Sequence, residues 1–325
     1  MKRRDFLLGL AGATLATGAL SPAARAQQKF PTRPIRFVVP FAAGGGGDVV
    51  ARILAARLSE RFGTPIVVEN RTGAGGSIGA DYVLKSPPDG YTLLNMSSTY
   101  PIQAAVSKLP FDPVNDVQPI VMVSRDPAGI AVRPGSPIQS LKDLLVAAQK
   151  DPGKLTYGSA GVGSIAHLGV EELAYHMGIR LSHVPYKGTS QAFNDLIGNT
   201  LDLMLTSTTF AATYVRSGRM RVLAVAGNQR SARMPDVPTF AELGYPGYQV
   251  FDWKAVAGPK GIPPDIVATL NAGLNAVLKE KAVAERFETE GSAVIGGSPE
   301  EMLATIKADI ERWKSIVEKA KVKIE

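Results

Sequence analysis

Short apolar runs alternate along this chain with longer segments in which apolar positions recur every three or four residues, so strand and amphipathic helix follow one another repeatedly. Residues 35–40, 65–70, 92–97, 154–159, 181–186, 201–206 and 221–226 read as strands. After Asp48, the residues Val50, Leu54, Leu58 and Phe62 fall four apart, which predicts a helix with one stripe for a sheet, and Asp48 is placed to cap it. Ser140-Leu141-Lys142-Asp143 and Ser298-Pro299-Glu300-Glu301 have the form of capping-box starts, the second with proline at the first helical position. The last helix then presents Leu303, Ile306, Ile310, Trp313 and Val317 on one side. Strands alternating with helices predict an α/β fold with a largely parallel sheet.

Two stretches, 117–133 and 248–259, break the alternation, being long, extended and interrupted by single polar or glycine residues. Each is fitted to leave one domain and enter the other. The chain then divides into one lobe of residues 27–125 with 252–325 and a second of residues 126–251, joined by paired hinge strands with a cleft between them. In open α/β sheets ligands sit beyond the carboxyl ends of the strands, so the turns after Pro40, Ser97, Ser159, Tyr186 and Thr206 are expected to face that cleft.

The N-terminus reads as an export signal. Lys2-Arg3-Arg4-Asp5-Phe6-Leu7 is a twin-arginine start, an apolar run follows from Leu8 to Leu20, and Ala24-Arg25-Ala26 is an A-x-A cleavage site. Residues 1–26 are therefore expected to be removed, leaving roughly 300 residues, the size at which one core gives way to two. No later stretch reaches the ~18 consecutive apolar residues of a membrane span, so no direct membrane insertion is expected and the product is expected to be extracytoplasmic. The formal net charge of +7 falls to about +4 without the leader, and the basic residues are scattered, which argues against nucleic acid as a partner. The chain has no cysteine, which excludes disulfides, thiol nucleophiles and thiolate metal sites. Its three histidines, His167, His176 and His183, lack metal-ligand spacing; no cofactor is implied, and the chain is expected to act as a monomer.

Candidate chemistry lies in two glycine-rich turns, Phe41-Ala42-Ala43-Gly44-Gly45-Gly46-Gly47-Asp48 and Ser159-Ala160-Gly161-Val162-Gly163-Ser164, each running from a strand into a helix. The first N–H groups of a helix have no intrahelical partner, and glycine lets a ligand approach them, so such a turn seats an anion without lysine or arginine. Two enzymatic patterns compete. Gly161-Val162-Gly163-Ser164-Ile165-Ala166 fits G-x-G-x-x-A, but the next strand ends in no acidic residue to hold a ribose. Gly75-Gly76-Ser77-Ile78-Gly79 spells G-x-S-x-G, but the preceding strand ends near Asn70, too far back for a nucleophile elbow, so Ser77 reads as a helix start.

The first turn, Val68-Glu69-Asn70-Arg71-Thr72-Gly73-Ala74-Gly75-Gly76, Pro88-Asp89-Gly90-Tyr91-Thr92, the second turn, Val184-Pro185-Tyr186-Lys187-Gly188 and Gly218-Arg219-Met220-Arg221-Val222 together resemble the extracytoplasmic receptors of tripartite tricarboxylate transporters, the Bug family. The resemblance covers essentially all of the chain after the leader. It implies a type II periplasmic-binding-protein fold whose two lobes close on a small carboxylate held by main-chain donors, and delivery of that acid to the transporter's membrane subunits. Carried onto this sequence, it assigns Phe41, Ala42, Ala43, Gly44 and Gly45 in the first turn and Ser159, Ala160, Gly161, Gly163 and Ser164 in the second. Ser97, Ser98, Thr189 and Ser207 become hydroxyl partners, and Lys187 and Gly188 sit beside them. Where family members often carry an acid, this chain has Thr206, which removes the counter-charge for an ammonium group and points to a ligand without one. Asp48 is expected to cap rather than bind, Phe251 and Trp253 to pack in the core, and Asp252 has no assigned partner. A ligand-responsive sensor built on the same two lobes, and an exported cofactor enzyme, are the alternative functions.

Overall fold

The computed structural model describes residues 30–322 apart from 232 and 291, and the leader expected at 1–26 lies outside them. Three strands and their helices open the fold: β1 (Ile35–Val39), α1 (Gly46–Phe62), β2 (Ile66–Asn70), α2 (Ser77–Leu84), β3 (Thr92–Ser97) and α3 (Thr99–Val106). A long strand β4 (Val117–Val132) leads to α4 (Leu141–Lys150), β5 (Thr156–Ser159), α5 (Ile165–Met177), β6 (Ser182–Pro185), α6 (Thr189–Ile197), β7 (Leu203–Ser207), α7 (Thr208–Arg216) and β8 (Arg221–Val225). The chain closes with β9 (Phe251–Pro259), α8 (Pro264–Leu278), α9 (Lys281–Glu290), β10 (Ala293–Gly296) and α10 (Pro299–Ala320). Each of the seven strands expected from apolar runs is present with its ends within two residues; β10 was not foreseen.

One sheet runs β2-β1-β3-β9-β4-β7-β5-β6, with β8 and β10 also on β4. Its two flanks are parallel, β1 with β2 and β3, and β5 with β6 and β7. Between them β4 and β9 run antiparallel from Val117 opposite Pro259 to Pro127 opposite Phe251. The first part of β4 thus belongs to one flank, and its last part pairs with β7 and β8 in the other. The two long extended stretches are these partners.

Apolar side chains fill both sides of each flank. Val50, Leu54 and Leu58 of α1 meet Ile35, Phe37 and Val39 of β1, as the spacing predicts, while Phe62 is only partly buried. Tyr157, Leu168, Leu173, Leu203 and Tyr248 centre the other core, to which α10 contributes Trp313. The buried stripe of α10 is Met302, Ile306, Ile310 and Trp313, whereas Leu303 and Val317 lie half-buried beside it. Ser298 and Glu301 form the expected capping box at its start. Residues 74–76 form a 3-10 turn and α2 begins at Ser77, so that serine starts a helix and stands at no strand-to-helix elbow.

Candidate ligand-binding site

The turns after β1, β3, β5, β6 and β7 converge on one cavity of about 190 Å³ between the two flanks, below the roughly 300–1,000 Å³ of drug-sized ligand sites. Phe41, Ala42, Ala43, Gly45, Gly46 and Gly47 form one wall. Across from them stand Ala160 and Ser164–Ala166, then Lys187–Gln191, then Thr206 and Ser207. Ser97 and Thr99 close one end, with Asp252 and Lys254 of β9.

At the first turn, α1 starts behind Gly45, an extended residue with no side chain to cap the helix, so the Gly46 and Gly47 N–H groups point onward without an intrahelical partner. Asp48 is therefore no N-cap. It sits one turn in and reaches back, its carboxylate accepting from the Gly44 N–H at 3.0 Å, from Arg52 at 2.9 and 3.1 Å, and from Asn70 at 3.0 Å. Burial alone raises its pKa, but these donors outweigh it and hold the carboxyl below its ordinary value. Asn70 also donates to the Phe41 carbonyl, so the two side chains set the shape of the whole turn.

The second turn is built differently. Ser164 caps α5 by accepting from the His167 N–H, and Gly163, at φ +69°, gives its N–H to His167 Nδ1 at 3.1 Å. Gly161 gives its N–H to Ser159 Oγ, which lies 2.6 Å from His183 Nε2. The donors of Gly44, Gly161 and Gly163 are thus engaged within the protein. Ser159 is buried, and the Ser98 hydroxyl donates to Asp252 at 2.7 Å. These five residues do not line the cavity; the other eleven singled out from the sequence do. What the second wall does offer is the start of α5 at Ile165 and Ala166 and the start of α6, whose cap, Gly188, again has no side chain. The expected facing pair of bare turns is better described as α1 against α6, with α5 contributing beside it.

Behind that wall, the rings of His167 and His183 stack 4.0 Å apart, next to Tyr157. Burial, with His183 adding to it, pushes His167 down to about 3, and burial pushes His183 down to about 4. Both are neutral in the folded protein and gain protons below about pH 6.5 when unfolded, so stability falls as the pH drops through that window. The urea midpoint is expected to fall between pH 7.5 and pH 5, and a His167→Gln, His183→Gln variant to flatten the slope; an equally steep slope in that variant would contradict this account.

Three residues that sequence reasoning passed over shape the site. Gln103 of α3 donates to the carbonyls of Val162 and Gly163 at 3.2 and 3.1 Å, tying the second turn to the opposite flank. Asn95 lines the cavity and donates to the Gly47 carbonyl at 2.8 Å. Lys254, 4% exposed, pairs with Asp252, which answers what that carboxylate bonds to and puts a buried cation in the cavity wall. The sequence held one signal for it: Asp252 and Lys254 alternate with Phe251 and Trp253, two faces of a strand. Trp253 is core as expected, its Nε1 donating to Asp309.

The family model of the tripartite tricarboxylate transporter family receptor matches residues 50–322. BugT of Bordetella pertussis is 37% identical over 321 residues, covering 98% of each chain. Two solved structures from Rhodopseudomonas palustris are similar: Rpa4515 with adipate at 34% identity and TM-score 0.86, covering 90% of this chain and 98% of that one, and MatC with bound malate at 31% and 0.85, covering 89% and 100%. The architecture is that of periplasmic binding proteins, and the relatives are receptors rather than enzymes. Among the described residues no helix is long and apolar enough to cross a membrane. With its strand-end cavity, its glycine-capped helices and a match over most of its length, the chain belongs to the family of tripartite tricarboxylate transporter receptors.

Proposed function

We propose that this chain is an exported receptor that captures a small organic carboxylate in the periplasm and delivers it, as a monomer, to the membrane subunits of a tripartite transporter. Residues 1–26 direct export. Residues 27–125 with 252–325 form one lobe and 126–251 the other, and β4 and β9 act as the hinge when the lobes close. The observation that carries the reading is the cavity itself, where α1 and α6 both begin at glycines without a capping side chain. The acid sits on the N–H groups of Gly45–Gly47, with Thr189, Ser190, Ile165 and Ala166 closing from the other side.

The magnitudes suffice. A charge-assisted hydrogen bond contributes roughly 1.5–3 kcal/mol net and a helix N-terminus about 0.3–1 kcal/mol. Four or five such donors, less the cost of ordering, reach the ~8 kcal/mol of a micromolar receptor. Relatives solved with adipate and malate support a carboxylate. Both acidic side chains in the wall are already occupied, Asp48 by Arg52 and Asn70 and Asp252 by Lys254 and Ser98, which favours a ligand without an ammonium group. A thermal-shift panel of acetate, succinate, malate, adipate, citrate and benzoate, each beside its amide, tests this. At least one acid is expected to raise the melting temperature well above its amide; equal stabilisation by acid and amide throughout, or none by any acid, would overturn the reading.

A further inference from the structure

The second turn takes its shape from a side chain that belongs to the other flank. Gln103 of α3 is 6% exposed, and its Nε2 donates to two successive carbonyls, Val162 and Gly163, at 3.2 and 3.1 Å. Its Oε1 accepts from the Ser107 hydroxyl at 3.1 Å, so the amide nitrogen serves the turn while the oxygen is fixed on its own side. The base is firm, because Ile102 of the same helix belongs to the core of the second flank and Tyr100 to that of the first. The two peptides that Gln103 holds are gripped at both ends. The N–H between Val162 and Gly163 goes to His167 Nδ1, and the N–H between Gly163 and Ser164 goes to the Gly161 carbonyl at 3.1 Å. Gly161 and Gly163, at φ +111° and +69°, let peptide planes here rotate at little steric cost, so the orientation has to be imposed from outside.

What these planes set is Ser164, which caps α5 and lines the cavity together with Ile165 and Ala166. Room for the amide is made by glycine on both sides. A Cβ at Gly75, in the 3-10 turn of residues 74–76, would run into Gln103 Nε2, and one at Gly163 would stand 2.6 Å from the same nitrogen. Gly75 belongs to the G-x-S-x-G stretch that forms no nucleophile elbow, and this slot gives it a purpose: an amide from one flank passes over it to the backbone of the other. Resting on the carboxylate reading above, we propose that Gln103 is the positioning residue of the second turn, holding the Val162 and Gly163 peptides in the one orientation that sets the start of α5 at the cavity wall, with Gly75 keeping the slot open for it. Gln103 touches no ligand in this arrangement; it acts through Ser164 and the first turn of α5.

Calorimetric titration with an acid that wild-type protein binds from the thermal-shift panel separates this role from a plain tie between flanks. Gln103→Leu keeps the bulk and removes both donors, whereas Gln103→Glu keeps the shape and the Ser107 bond but turns an acceptor toward the two carbonyls. Both should weaken the acid about tenfold. In 15N NMR of ligand-free Gln103→Leu, the Gly163 amide and His167 Nδ1 should both shift, since the peptide that joins them is released. A residue that only ties the flanks would lower the melting temperature yet leave affinity within threefold and both signals in place, and that outcome would overturn the proposal. If neither Gln103 variant folds, Gly75→Ala decides: its methyl meets the free end of a flexible side chain, so the amide gives way while both cavity turns keep their sequence. The same loss of about tenfold is expected, and affinity within threefold of wild type would overturn the proposal. Acids that bind wild type and these variants alike would sink this inference alone, whereas a panel without any binding acid would sink the receptor reading with it.

Discussion

Replacing Arg312 with alanine is expected to cost about 3–5 kcal/mol of stability, the largest loss from any single exchange outside the central core. Glu172 of α5 is 2% exposed, and Arg312 of α10 holds its two carboxylate oxygens at 3.0 and 2.9 Å. Burial raises the Glu172 pKa, and Arg312 works against that rise. Without the guanidinium the carboxylate must stay charged and unpaired in the core or take up a proton. Two consequences follow for urea unfolding at pH 7.5. Glu172→Gln should recover a large part of the loss in the Arg312→Ala background, since an amide needs no counter-charge. In Arg312→Ala alone, the raised carboxyl binds its proton more readily folded than unfolded, so lowering the pH toward the carboxylate range should narrow the gap to wild type. A loss below 1 kcal/mol, or a double variant no more stable than Arg312→Ala, would contradict this. The same pair ties α10 to α5 across the two flanks, so the exchange also tests how firmly they are held together.

The fold was legible because each parallel strand is an apolar run bounded by turn residues, and because two segments were too long and too interrupted to belong to that pattern. Strand β10 escaped notice since its apolar run, Ala293-Val294-Ile295, is only three residues long and ends at Gly296-Gly297. The turns were legible for the same reason the helices begin there: glycine where bare backbone faces the cavity. Which N–H groups remain available was not legible. That depends on His167 and Ser159 folding back onto Gly163 and Gly161, and on Asp48 reaching Gly44, contacts that local sequence does not rank. Gly188 was read as a neighbour of Lys187, when it is the bare cap of a helix facing the cavity. Lys254 and Asn95 were missed because their role arises only when β3 and β9 pair, more than 150 residues apart in the chain.

A proline at Gly46 should separate binding from folding. Gly46 is the first residue of α1, where proline is tolerated; Gly45 before it is extended at ψ 166°, the conformation proline demands of its predecessor; and a Cβ there meets no atom within 4 Å. The substitution therefore removes one backbone N–H from the cavity wall while the helix keeps its hydrogen bonds, with stability unchanged or raised by about 0.4–1 kcal/mol through the unfolded state. Gly161→Pro would be a poorer probe, since that residue sits at φ +111° and its N–H is held by Ser159. Gly46→Ala adds bulk but keeps the donor, and serves as the steric control. Calorimetric titration of wild type, Gly46→Ala and Gly46→Pro with an acid from the panel that binds is the decisive measurement. The account predicts affinity within threefold for Gly46→Ala and a drop of roughly 10- to 100-fold for Gly46→Pro, at equal melting temperature. Undiminished binding by Gly46→Pro would mean that the acid does not rest on the amides of this helix.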